Sequence, residues 1–153
     1  MKTGGGVLNH WLHDGTIQLA DEISDWQQAL QLCAGPLLKA GVITSDYVPA
    51  IIRGHQQIGP YYVLAPGLAM PHARPEEGAC EMGLSLLKLR HGVNFGAGEF
   101  DPVNVIVMLA AKDSHSHIAM LSSLSELFSN DQALEDLHCA TTLEEIKKVI
   151  APF

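Results

Sequence analysis

A chain of 153 residues can enclose one well-buried core and is too short for two comfortable domains, so a single domain over residues 1–153 is expected. With 47% hydrophobic and only 17% charged residues, the composition excludes a disordered tail or a coiled coil. The net charge of -8 speaks against a nucleic-acid surface, which needs clustered basic residues to displace counterions, and suits partners that present a positive face.

In chain order, Thr16 to Leu19 reads as a short strand. Ser24 or Asp25 then caps a helix whose apolar face is Trp26, Ala29, Leu30, Cys33, Leu37 and Leu38, with Gly41 at its end. Thr44 or Ser45 opens a second helix through Tyr47, Val48, Ile51 and Ile52, which Gly59-Pro60 must terminate. Pro49 falls in its first turn, where a missing N–H is tolerated. Tyr61 to Leu64 is β-rich, and the Pro/Gly-rich run from Ala65 to Pro75 reads as a constrained loop.

Gly83 to Leu89 reads as a strand, and His91-Gly92 with Gly96-Ala97-Gly98 as a polar excursion. Val103 to Ala111 is nearly continuous apolar sequence, the pattern of a strand covered on both faces. Helices follow from about 116 to 128, from Asp131 to His138, and from Thr142 to Ile150, the last opened by a Thr142/Glu145 capping box. The expected fold is α/β, a three-layer sandwich with a mostly parallel, mixed β-sheet and helices on both faces.

Cys33, Cys80 and Cys139 are odd in number and widely spaced, which fits buried fillers in a reducing cytoplasm better than a disulfide framework. No apolar run approaches the ~20 residues of a membrane-spanning helix. A cytoplasmic location is expected.

The chemistry concentrates in two segments. In Met70-Pro71-His72-Ala73-Arg74-Pro75, two prolines stiffen the backbone around one histidine, so His72 has a defined direction. Imidazole is a nucleophile near neutral pH, and the planar donors of Arg74 suit phosphate. The second segment, Asp113-Ser114-His115-Ser116-His117, follows the most buried strand and opens a helix, where free N–H groups and the helix dipole stabilise an anion. Ser114 and Ser116 add hydroxyl donors there.

These words, together with Tyr61-Tyr62-Val63-Leu64-Ala65-Pro66-Gly67-Leu68-Ala69 before them and Lys112 to Ile118, resemble the IIA component of the bacterial phosphoenolpyruvate-dependent sugar phosphotransferase system (PTS), in the mannitol/fructose superfamily and its ascorbate-type branch. The resemblance implies a phosphohistidine at His72, formed from phospho-HPr and passed to a IIB component for uptake of ascorbate or a related sugar through a membrane IIC component. It implies His117 as the second catalytic histidine, stabilising and orienting the phosphoryl group, with His115 exposed. Arg74, Ser114 and Ser116 are the phosphate-binding candidates, and Arg53 is a further one because mannitol-type relatives carry an arginine on the helix before the loop. Glu76 and Glu77 are expected to be solvated or to close the loop. No nucleotide, cofactor or metal is implied, and the sequence has neither a Walker-A loop nor a GxGxxG run.

Two other readings compete. A regulatory phosphohistidine module would use the same residues to control partner proteins. A metal hydrolase would bind zinc through His72, His115 and His117, and it is disfavoured by the lack of a nearby carboxylate base and by the proline-rich setting.

Overall fold

The computed structural model describes residues 6–113, 115 and 117–153. Five strands, β1 (Ile17–Ala20), β2 (Val63–Ala65), β3 (Leu68–Ala69), β4 (Gly83–Val93) and β5 (Val103–Ala110), form one sheet in the order β1-β4-β5-β3-β2. The β1–β4 and β3–β5 pairs are parallel, and the β4–β5 and β2–β3 pairs are antiparallel. The sheet is therefore mixed as expected, with parallel and antiparallel pairs in equal number along it.

Helices α1 (Trp26–Lys39) and α2 (Tyr47–Ile58) cover one face, and α3 (Ile118–Ser129), α4 (Asp131–Cys139) and α5 (Leu143–Ile150) cover the other. The period-2 alternation of strands divides the core accordingly. Leu87, Leu89, Ile106 and Met108 pack under α1 and α2, while Leu84, Leu86, Val105 and Val107 pack under α3 to α5. All eight are fully buried, which is why β4 and β5 read as continuous apolar runs.

The helix starts follow their caps. The Asp25 carboxylate accepts from the Gln28 N–H at 2.9 Å, and Thr142 accepts from the Glu145 N–H at 3.1 Å while Glu145 accepts from the Thr142 N–H at 3.2 Å. α2 departs from expectation. Its N-cap position is Asp46, whose side chain makes no capping bond, and Thr44 Oγ1 instead accepts from the Asp46 N–H at 3.3 Å.

α1 continues through Pro36, which has no N–H to give the carbonyl of Leu32. Gln18 on the edge strand β1 supplies the missing donor, its Nε2 lying 2.7 Å from the Leu32 oxygen. One helix defect thereby becomes a tie between helix and sheet.

Two segments expected to be loop are strand. Leu68-Ala69 pairs with Val105-Ile106 as β3, and β4 runs on through His91-Gly92 to Val93 after a register shift. In both cases backbone pairing with β5 outweighs weak local propensity. β3 matters for the site, because it delivers Met70-Pro71-His72 to the edge of the sheet where β5 ends.

Candidate phosphoryl-transfer site

An open cavity of about 680 Å³ lies at the carboxyl end of β5, lined by α2, the segment after β3 and the start of α3. His72, His117, Arg53 and Arg74 all line it, together with Tyr61 and Asp113. Two histidines 45 positions apart and two arginines from separate elements are thus brought to one hollow.

His72 is half-buried and its ring is fixed by its own loop. The Nδ1 atom lies 2.9 Å from the carbonyl oxygen of Met70, which can only accept, so Nδ1 carries the proton and Nε2 is left with a lone pair. The Pro71 carbonyl in turn accepts from the Leu109 N–H of β5 at 3.0 Å. Tyr61 donates its hydroxyl to the His72 carbonyl at 3.0 Å and sets its ring edge-on to the imidazole, with centroids 6.0 Å apart.

Tyr47 is the deeper anchor. Its fully buried side chain donates to the Leu109 carbonyl at 2.6 Å and accepts from the Ala73 N–H at 3.1 Å, so one hydroxyl joins α2, β5 and the histidine loop. Burial pushes its pKa up to about 12, keeping it protonated for this role. The loop then closes through Glu77, whose carboxylate accepts from the Arg74 N–H at 2.9 Å, while Glu76 is exposed, in line with the expectation for the pair. Gly78, at φ +127°, packs so closely on α2 that a Cβ there would sit 2.6 Å from Thr44 Oγ1.

His117 stands at the N-cap position of α3, one residue before the helix rather than inside it, and its carbonyl accepts from the Leu121 N–H at 2.9 Å. Its Nδ1 is buried with no hydrogen-bond partner among the described residues. His115 is exposed, does not line the cavity, and has its N–H held by Asp113 at 2.8 Å. Arg53 and Arg74 are both exposed, and the ion pairs found among the described residues involve neither. Ser114 and Ser116 lie outside the described residues.

Residues 11–152 match the family model described as "Phosphoenolpyruvate-dependent sugar phosphotransferase system, EIIA 2". The chain belongs to this family. The mannitol-specific cryptic phosphotransferase enzyme IIA component of Escherichia coli (strain K12) is 38% identical over 144 residues, covering 94% of this chain and 97% of that protein. The ascorbate-specific PTS system EIIA component of the same strain is 36% identical over 136 residues, 88% of each chain. The solution structure of the mannitol-specific cryptic enzyme IIA CmtB from Escherichia coli superposes with a TM-score of 0.87 at 38% identity, over 94% of this chain and 97% of that one. As a IIA component of the sugar PTS, the protein is a phosphotransfer protein.

Of the candidates read from sequence for this IIA component, His72, His117, Arg74 and Arg53 share the cavity. Tyr47, Tyr61 and Asp113 were not singled out by their chemistry. A signal existed for Tyr47, since a tyrosine on the apolar face of a helix must find a partner for its hydroxyl. Nothing in the sequence tells which carbonyl that partner is.

Proposed function

We propose that this IIA component carries its phosphoryl group on Nε2 of His72, receiving it from phospho-HPr and passing it to a IIB component that serves a membrane IIC transporter. The observation that carries the reading is the 2.9 Å contact of His72 Nδ1 with the Met70 carbonyl, which leaves Nε2 as the nucleophilic nitrogen of a ring that shares its cavity with two arginines and a second histidine. The Nε2 lone pair attacks phosphorus, the bond from phosphorus to the donor's histidine nitrogen breaks, and that imidazole leaves with the electron pair. The onward step repeats the displacement on an acceptor nucleophile.

Such a transfer asks the protein for alignment and for positive charge around the equatorial oxygens. Arg53 and Arg74 bind and neutralise, and the N-terminus of α3 adds its partial positive charge. His117 donates a hydrogen bond to a phosphoryl oxygen and orients it. Ser114 and Ser116 complete the donor set. Among the described residues no helix is long and apolar enough to cross a membrane, and work in the cytoplasm, where donor and acceptor meet, fits this role. The compound taken up is of the ascorbate or sugar-alcohol class, by analogy with the two relatives above.

Incubation with phosphoenolpyruvate, Enzyme I and HPr tests the proposal. The expected product carries one phosphoryl group per chain, labile in acid and stable in alkali as a phosphoramidate is, and discharges to a cognate IIB. A stoichiometric label that never leaves for any IIB would favour the regulatory reading, and no label at all would refute both.

A further inference from the structure

A second cavity, of about 690 Å³, opens at the other end of the sheet, between the ends of β1 and β4 and the turn from α4 to α5. Along β4, Gly83 stands beside Ala110 at the His72 end and Lys88 stands beside Val105, five residues further on and so on the order of 17 Å away. Lys88, Arg90, His138, Cys139 and Asp21 line this second hollow.

Lys88 is its unusual feature. The residue is only 5% exposed, and its ammonium makes one hydrogen bond, to the Leu89 carbonyl at 3.1 Å. Two of its three N–H donors remain, and no carboxylate among the described residues lies within ion-pair distance. A buried cation left this way is costly unless something anionic completes it. The single carboxylate lining the cavity, Asp21, faces Arg90 at 4.0 Å in a pair that is mostly solvent-exposed and therefore weak.

His138 forms part of the wall of the hollow. Its Nδ1 is 2.6 Å from Asn104 Oδ1, and its Nε2 is buried with no partner among the described residues. Burial first and the field of Lys88 second hold its pKa below the usual value, against the Pro66 carbonyl, which faces the ring and raises it, so the imidazole adds no charge to the hollow at neutral pH. The hollow therefore offers cationic donors from Lys88 and Arg90 beside a neutral imidazole whose Nε2 is closed off from it.

We propose that this cavity is a second anion site, distinct from the His72 site, which takes a phosphate group: inorganic phosphate or the phosphate monoester of a small metabolite. The phosphate oxygens accept from Lys88 and Arg90. In a protein of net charge -8 a basic hollow of this kind stands out from its surroundings.

The test is an NMR titration of the full chain with inorganic phosphate, and in parallel with glycerol 3-phosphate, at constant ionic strength set by sodium chloride. Saturable shifts are expected at the His138 ring and at the Lys88 and Arg90 amides, and whichever of the two probes binds more tightly names the source. Lys88→Met should weaken this response by more than about tenfold while leaving any phosphate response at His72 in place. Arg90→Gln, at an exposed position, should weaken it by a few fold and supplies the same comparison if the Met variant does not fold. Shifts that fail to saturate, that sodium chloride reproduces, or that survive Lys88→Met unchanged would overturn the site.

Discussion

At the scale of single residues, function turns on which nitrogen of His72 is free. Because Nδ1 is bound to the Met70 carbonyl, the phosphorylated protein should show its P–N bond at Nε2, detectable as a phosphorus–nitrogen coupling in the 15N-labelled imidazole; coupling at Nδ1 would reverse the tautomer assignment. His117→Ala should still accept a phosphoryl group but slow single-turnover transfer to IIB by on the order of 10²-fold, since it removes a donor that acts on developing charge. Equal rates would take His117 out of the site. Tyr47→Phe deletes the hydroxyl that joins Ala73 to Leu109 and strands a buried carbonyl, so urea unfolding should report a loss of about 1–3 kcal/mol. The sequence made His72 legible because two prolines and an arginine surround it. It could not make the tyrosine anchors legible, because a hydroxyl's partner is set by which distant backbone folds against it.

At the scale of elements, caps and periodicity carried most of the information. The helix starts at Asp25 and Thr142 are local events, written in a few adjacent residues, and they appear where those residues stand. Asp25→Ala should lower stability by about 1 kcal/mol in denaturant titration, with no change in phosphoryl transfer. What the sequence hid was non-local: the two-residue strand β3 and the extension of β4 exist only because β5 offers them a backbone ladder. Strand direction is equally silent in sequence, since an apolar strand reads the same either way, and the even alternation of parallel and antiparallel pairs comes from the connections. The Gln18–Leu32 bond is of the same kind, as Pro36 announces a lost donor without saying what replaces it. These non-local pieces also set the site, for β3 brings the histidine loop to the end of β5.

For the whole molecule, two buried-side histidines link stability to pH. His55 stacks on Trp26 at 3.7 Å and meets the Tyr62 hydroxyl at 2.7 Å, and burial lowers its pKa as it does that of His138. The unfolded chain thus takes up these protons at a higher pH than the folded one. Their contribution to stability is complete above about pH 6.5 and is lost as pH falls through that value toward the lower folded pKa values. The urea midpoint should drop between about pH 7.5 and about pH 5.5, before most carboxylates titrate, and His55→Gln should flatten the drop. A midpoint constant over that range would contradict the linkage. The account as a whole rests on one chemical event, a phosphoryl group carried by His72, and the most direct measurement is transfer from phosphoenolpyruvate through Enzyme I and HPr to the parent chain and to folded His72→Ala. One acid-labile phosphoryl group per parent chain and none on the variant is the predicted result; a variant that labels as the parent does would contradict it.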